Sequence, residues 1–410
     1  MNLKKYYSDL CQKQYRYYIP EGKSLLDLGP GDGVEHIAKD QKFDYILLRG
    51  TLGECQDIEE LLKALHHFCH QDTRIIIQYY SYVWQCLIKI AERTGLKNRQ
   101  RIQNWLTWQD IFNFLTLAGY DPIKKERTVL IPFNIWGVSS VTNRYLAKLP
   151  FLNALTLNHF IIARPLFKSI EEYSVTILIP CRNERGNIEQ AITRTPFFGN
   201  HQEFIFVEGH SKDGTYEEVQ RVIQAYPDKD IKLFKQEGKG KGDAVRQGFS
   251  KASGQVLMIL DADLTVEPED MPKFYEALKD RKGEFINGCR LIYPMEDEAM
   301  RFLNLVANKF FGIFFTWLLG QRFKDTLCGT KVMFKHQYDQ LAANRHYFGD
   351  FDPFGDFDLI FGAVKLNLKV IELPIRYKSR QYGTTQIQRF RHGLLLLRMC
   401  FFAMKKIKFI

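Results

Sequence analysis

Neither a C-x-x-C pair nor a regular spacing relates the eight cysteines, at positions 11, 55, 69, 86, 181, 289, 328 and 400. A zinc ribbon and a disulfide framework are therefore excluded, and reduced thiols in a cytoplasmic protein are expected. Long apolar runs are missing as well. The opening MNLKKYYSDL lacks the apolar block of a secretion signal. The most apolar stretch, residues 302–320, is interrupted by Asn304, Asn308 and Lys309. It reads as an amphipathic helix lying at an interface or in a core rather than one that crosses a bilayer. Internal repeats and low-complexity segments are absent, which removes solenoids and flexible linkers from consideration.

What is present suits a two-domain globular chain. A chain of 410 residues exceeds one ordinary core, so we expect domains at 1–165 and 166–410. The excess of 57 Lys+Arg over 47 Asp+Glu is uneven: Arg389, Arg391, Arg398, Lys405, Lys406 and Lys408 crowd the end of the chain among apolar residues. That pattern favours an anionic membrane surface over nucleic acid, and a peripheral location on the inner face of the cell membrane.

Residues 255–263, QVLMILDAD, organise the rest. Five consecutive apolar residues suit a strand covered on both faces, as in a mostly parallel sheet. If the strand persists to its acidic end, Asp261 and Asp263 share one face, and like charges held that close favour a bound divalent cation.

In the first domain, residues 24–33 read SLLDLGPGDG, a short strand followed by Asp27, Gly29, Gly31 and Gly33. Glycines so spaced let the backbone approach a ligand, with a following helix to direct N–H groups at it. The motif resembles the first motif of S-adenosylmethionine-dependent methyltransferases with a Rossmann-like fold. That resemblance implies S-adenosylmethionine as a cofactor, with Gly29, Gly31 and Gly33 lining its methionine and ribose. Only residues 34–42 intervene before FDYILLRGTLG, at 43–53, which resembles the family's fourth strand. The second and third strands, and the acidic residue that holds the ribose, are missing, so the domain is a shortened one. Residues 74–80 read as a further strand and 105–120 as a helix ending at Gly119. The proline-bearing segment 130–169 reads as a connector that packs on the second domain or on a membrane.

In the second domain strands at 174–180 and 204–208 alternate with turns and helices, a βαβα progression with polar groups at strand ends. Pro180-Cys181-Arg182-Asn183-Glu184, the strand end at Glu208, the basic loop GKGKGDA at 238–244 and the Asp261–Asp263 pair follow in order. So do Arg290, the turn 325–331 and FGDFDL at 354–359. Together they resemble an inverting family 2 glycosyltransferase with a GT-A fold, most like the dolichol- and polyprenyl-phosphate sugar synthases. The resemblance implies that Pro180, Asn183, Glu184 and Glu208 hold the nucleotide's base and ribose, with Lys241 and Asp243 beside it. Asp261 and Asp263 would grip the diphosphate through Mg²⁺ or Mn²⁺, and Arg290 would face phosphate. Asp356 and Asp358 would border the acceptor side, and Arg380, with Arg389 or Arg391, would meet an acceptor phosphate. Three positions depart from the family: Gly209 replaces a second carboxylate, Thr265 stands where a Gln ligand is usual, and Gly383-Thr384-Thr385-Gln386 lacks the usual lysine.

The expected fold is thus α/β, a GT-A domain preceded by a smaller, shortened Rossmann-like one. The expected reaction is metal-dependent, inverting transfer of a sugar from a nucleotide sugar to a polyprenyl-phosphate-type lipid. A sugar hydroxyl acceptor would need a general base such as Asp356 or Asp358; a lipid phosphate is already anionic and needs cations to position it. Methyl transfer by the first domain and an inactive membrane-bound scaffold are the alternatives.

Overall fold

A computed structural model describes residues 3–38, 40–95, 103–168, 171–293, 302–347, 355–380, 382 and 389–409. The chain divides into two compact units, Met1–Phe167 with Lys408–Ile410, and Lys168–Ile407. The sequence reading kept the whole C-terminus in the second domain, whereas its last residues group with the first.

Among the described residues the first unit holds a five-stranded sheet. Its strands are β1 (Leu25–Leu28), β2 (Phe43–Arg49), β3 (Cys69–Tyr80), β4 (Tyr120–Thr128) and β5 (Asn158–Pro165). The order is β1-β2-β3-β5-β4, with β1, β2 and β3 parallel and β5 antiparallel to both its neighbours. Apolar residues alternate between two covered faces, which explains the unbroken runs in β2 and β3. Ile46, Leu48, Ile75 and Ile77 meet Leu62, Leu65, Ile111 and Leu115 on one side; Leu47 and Ile76 meet Tyr15 and Tyr18 on the other. The expected helix at 105–120 forms over Trp108–Leu117, started by a reciprocal cap between Thr107 and Asp110 and ended where Gly119 takes φ +80°. The helix expected to follow the glycines is not there. Residues 29–38 form turns, and β1 pairs directly with β2, Leu25 opposite Tyr45.

The second unit holds, among the described residues, a seven-stranded sheet made of β6 (Ser174–Cys181), β7 (His201–Glu208), β8 (Asp230–Lys235), β9 (Val256–Ile259), β10 (Phe285–Cys289), β11 (Lys331–Phe334) and β12 (Val370–Pro374). The order is β12-β10-β11-β9-β6-β7-β8. Strands β9, β6, β7 and β8 run parallel, while β11 is antiparallel to β9 and β10. This is the α/β arrangement expected. Leu178, Ile205, Leu257 and Ile259 face the helices Lys241–Lys251, Phe302–Leu319 and Asp356–Lys365. Ile177, Phe204, Phe206 and Met258 face a second core with Ile188, Val219 and Phe274. Each such side chain contributes about 1.5–3 kcal/mol by leaving water, so the sheet is a rigid floor for the loops at its edge. Helix Phe302–Leu319 departs from the amphipathic pattern expected: Phe311, Phe315 and Leu318 are buried, but so is Asn308, while Val306, Phe310 and Ile313 are exposed, so both faces carry apolar side chains. Among the described residues no helix is long and apolar enough to cross a membrane.

One sequence expectation fails at the centre of this sheet. Strand β9 stops at Ile259, and Leu264 N donates to Asp261 O at 3.1 Å, with Leu264 at φ +51°. Asp261 and Asp263 therefore sit on a turn beyond the strand, not on one face of it. Burial of 256–260 on both faces carried the apolar run one residue past the ladder, which is why the run looked longer than the strand.

Candidate functional site

The parallel strands β6, β7 and β9 end on the same edge, and their following loops collect there, as in other open α/β sheets. From the helix Lys241–Lys251, Lys241 reaches Asp261 at 2.5 Å. From the segment after β12, Arg380 places one nitrogen 2.6 Å from Asp263 and another 2.7 Å from Glu184. One guanidinium thereby joins the loop after β6 to the turn after β9. Thr265 donates its hydroxyl to Asp263 at 2.8 Å and its N–H at 3.2 Å, so the residue that departs from the family pattern orients this carboxylate. Burial opposes ionisation of Asp261, but Lys241, and beyond it Lys331 and Arg290, hold its carboxyl below the ordinary range. Burial likewise works against the Lys241 ammonium, yet Asp261, Asp356 and Asp263 keep it charged well above the ordinary lysine value.

A second layer presses on this pair. Arg290 meets the fully buried Asp325 through two nitrogens at 2.7 Å and through its backbone N–H at 3.0 Å. The guanidinium expected to face phosphate is therefore taken up by a carboxylate and acts on Asp261 only through its field. Glu372 accepts the N–H groups of Lys324 at 2.8 Å and Asp325 at 2.9 Å, fixing the same turn. That turn delivers Gly329 against the site. A methyl group on Gly329 would overlap the Asp261 carboxylate and the Lys241 ammonium. We expect Gly329→Ala to lower turnover by about 10- to 100-fold, by pushing these two ends apart, while the melting temperature stays near wild type because the displaced atoms end flexible side chains. A full-rate variant in a turnover assay would contradict this packing.

Lys331 opens β11 inside the core and meets Asp356 at 2.6 Å. Its importance was legible only as one letter of the motif at 325–331; the signal was a lysine at the head of an apolar strand, KVMF. Asp356 thus joins the Asp261 group, whereas Asp358 does not follow it. Asp358 pairs with Arg345 at 3.0 Å, beside Tyr338 in the core. Helix geometry explains the divergence, because residues two apart point to different sides.

Four of the residues assigned to the nucleotide make a floor. Pro180 lies opposite Val207 and Cys181 opposite Glu208 in the β6–β7 ladder. Glu208 accepts the N–H of Ser211 at 2.5 Å, Asn183 donates its N–H to Ser211 Oγ at 2.9 Å, and Asn183 Oδ1 accepts from Lys212 N at 2.8 Å. Asn183 takes φ +56° to do so, a conformation asparagine tolerates better than most residues. Asp243 also turns inward. It accepts from Gly238 N and from Gln236 Nε2, both at 3.0 Å, and so staples the basic loop rather than pointing out of it.

Glu184 is the titrating member. Burial pushes its carboxyl up to about 7, with Arg380 opposing and Asp263 adding to the rise. Its oxygens bond Arg380 and, at 2.8 Å, Asn187. The folded state therefore binds this proton more tightly than the unfolded chain. Stability from it is complete below the ordinary value of 4.5 and is lost as pH rises through about 7, by at most roughly 3 kcal/mol. Melting curves from pH 5 to 8 should show this slope in wild type and lose it in Glu184→Gln; parallel slopes would refute the assignment.

In the first unit Gly29 N donates to Asp32 at 2.6 Å and Asp27 pairs with Arg49 at 2.5 Å. Gly31 takes φ +79°, and a side chain at Gly33 would overlap the Glu35 carboxylate. The loop closes on itself, with a cation, Arg49, at the end of β2. Gly383, Thr384, Thr385, Gln386 and the side chains of Arg389 and Arg391 lie outside the described residues.

Asp261 and Asp263 supply hard oxygen donors, partly open to solvent at 25% and 16%. Among the described residues no group of three or more His, Cys, Asp or Glu side chains clusters as a metal cage. Two carboxylates fit Mg²⁺ or Mn²⁺ in the mode where substrate phosphates and water complete the coordination.

Residues 176–341 match the model of glycosyl transferase family 2. A dolichol-phosphate mannosyltransferase of Pyrococcus furiosus is 40% identical over 221 residues, 52% of this chain and 59% of that protein. Its namesake from Saccharomyces cerevisiae is 36% identical over 115 residues, 27% of this chain and 42% of that protein. The chain thus spans less than two thirds of the length of both relatives. Among solved structures, glucosyl-3-phosphoglycerate synthase of Mycobacterium tuberculosis, in complex with phosphoglyceric acid, aligns with a TM-score of 0.42 at 17% identity, over 56% of this chain and 80% of that one. The mannosyltransferase PcManGT of Pyrobaculum calidifontis, in complex with GDP-Man and Mn²⁺, aligns with a TM-score of 0.39 at 16% identity, over 58% and 64%.

Proposed function

We propose that this chain, whose residues 176–341 form a glycosyltransferase family 2 domain, moves a sugar from a nucleotide sugar to a polyprenyl-phosphate-type lipid at the inner face of a membrane, with inversion at the anomeric carbon. The observation that carries this reading is the set of paired charges at the end of β9: Asp261 with Lys241, and Asp263 with Arg380. A departing nucleoside diphosphate is an anion, and fixed charges that stabilise it as it forms lower the barrier. Asp261 and Asp263 are the residues that would hold a divalent cation, which when bound neutralises the diphosphate. Lys241 and Arg380 lie where their positive charge would meet phosphate oxygens, and Thr265 keeps Asp263 in place. Glu184, with the Asn183–Ser211 and Glu208–Ser211 bonds, shapes the seat for base and ribose.

The acceptor class is supported by the engagement of the candidate bases among the described residues. Asp356 and Asp358, the candidate bases, are each ion-paired and under a tenth exposed, and Glu184 is bonded at both oxygens. A base held this way is poorly placed to take a proton from a hydroxyl. A lipid phosphate needs no such step, which favours it as nucleophile. The relatives named for dolichol phosphate support the same acceptor class. The deciding experiment incubates the protein with Mn²⁺, a panel of nucleotide sugars and short polyprenyl phosphates, and follows released nucleoside diphosphate. Release that requires the lipid phosphate is expected; release unchanged when a free sugar replaces it would overturn the acceptor.

For the first unit we favour a structural role over methyl transfer, because Gly29 is bonded to Asp32 and Asp27 is paired with Arg49, which stands where β2 ends. Calorimetry with S-adenosylmethionine should give no binding heat, and micromolar binding would reverse this assignment.

A further inference from the structure

The first unit carries an inside-out surface. Its short helix Val138–Arg144 buries Ser139, Thr142 and Asn143 and turns Val138 and Val141 outward. The inward polar groups are satisfied: Asn143 Oδ1 accepts from Leu130 N at 2.7 Å and Ile131 N at 2.9 Å, Asn143 Nδ2 donates to Ile131 O at 2.7 Å, and Ser139 accepts from Ile135 N at 3.0 Å. A helix facing water has the reverse pattern. At either side of it Trp136 is 97% and Phe151 90% exposed. Both are held at positive φ, +42° and +69°, which is strained backbone for non-glycine residues. The backbone is thus strained in order to hold two large aromatic groups out.

The patch continues into a second element. Trp84 Nε1 donates to Leu155 O at 2.8 Å, tying the helix Gln85–Arg93, with its exposed Leu87 and Ile90, to the same segment. Its charge is mainly positive at the rim, with Glu92 the single acidic residue in residues 82–93 and 133–155. From Arg127 to Arg164 the sequence has no acidic residue, and Lys89, Arg93 and Arg144 are exposed beside the apolar groups. An apolar face with aromatic tips and a cationic edge matches the interface of an anionic bilayer, where Trp sits at headgroup depth. A contiguous patch of this kind is rare on a protein surrounded only by water.

We propose that residues 82–93 and 133–155 form a monotopic docking face that seats the first unit on an anionic lipid bilayer, with Trp136 and Phe151 inserted. The proposal rests on the reading of the enzyme as membrane-associated, and it names the first unit, not the basic C-terminal segment, as the anchor.

The test uses the full chain, floated with phosphatidylcholine vesicles containing or lacking phosphatidylglycerol. Wild type should float with the anionic vesicles. Trp136→Asn with Phe151→Asn, which removes both aromatic groups and leaves polar side chains in their place, should partition at least tenfold less while melting near the wild-type temperature. Flotation of that variant equal to wild type would overturn the proposal. So would wild-type protein that ignores both vesicles, including the case where light scattering finds a dimer that the double variant dissolves, which would assign the face to a second copy. Transfer to a short, water-soluble polyprenyl phosphate reports on the site alone. A variant that has lost flotation but keeps that transfer supports docking, and wild type that floats without any transfer supports docking while removing the proposed reaction.

Discussion

Asp261→Asn should lower turnover by about a thousandfold, the scale on which single electrostatic groups at a developing charge act. Asparagine keeps the shape and the backbone bond from Leu264 N to Asp261 O, so the turn after β9 survives. What it removes is the charge that Lys241 faces at 2.5 Å and one of the two carboxylates suited to a cation. Lys241 then has Asp356 and Asp263 to draw it away, and the leaving diphosphate loses its aligned neighbours. Initial rates of nucleoside diphosphate release, with circular dichroism to confirm the fold, measure the effect. A variant within twofold of wild type would remove the charge set at β9 from the reaction.

The largest stability effect is expected at the pair behind it. Lys331 is 2% and Asp356 8% exposed, 2.6 Å apart. Lys331→Met preserves most of the volume but strands a carboxylate in the core, at a cost of about 3–5 kcal/mol. In a unit of this size that lowers the melting temperature by roughly 10 °C. Adding Asp356→Leu should restore most of the loss, since two apolar groups leave no charge stranded. The repaired double variant should still turn over slowly, because the Lys331 charge also acts on Asp261. A single variant that melts like wild type would show that the pair is not buried in solution.

Much of the second unit was legible in its residues. Runs such as SVTILIP at 174–180 and VLMI at 256–259 suit strands covered on both faces, and acids and glycines placed just after them read as the sheet's functional edge. Gly119, at φ +80°, marks the helix end expected of it, whereas the helix starts at Trp108 behind the Thr107–Asp110 cap rather than at 105. What the residues did not disclose was their partners. Arg290 is bound to Asp325, Asp243 accepts from Gly238 and Gln236 of its own loop, and Asp358 turns to Arg345 while Asp356 meets Lys331. In each case the residue type was informative and the partner was not.

By itself the sequence determined the α/β alternation and the place of the acidic pair just beyond a buried apolar run, since both follow from spacing within a few residues and from burial of apolar area. Only the tertiary structure decided which charge meets which. Arg380 lies 196 residues from Glu184 and 117 from Asp263 in sequence, yet it bonds both. A local pattern carries no record of such a partner, because ion pairs at a sheet's edge are chosen by which strands lie side by side.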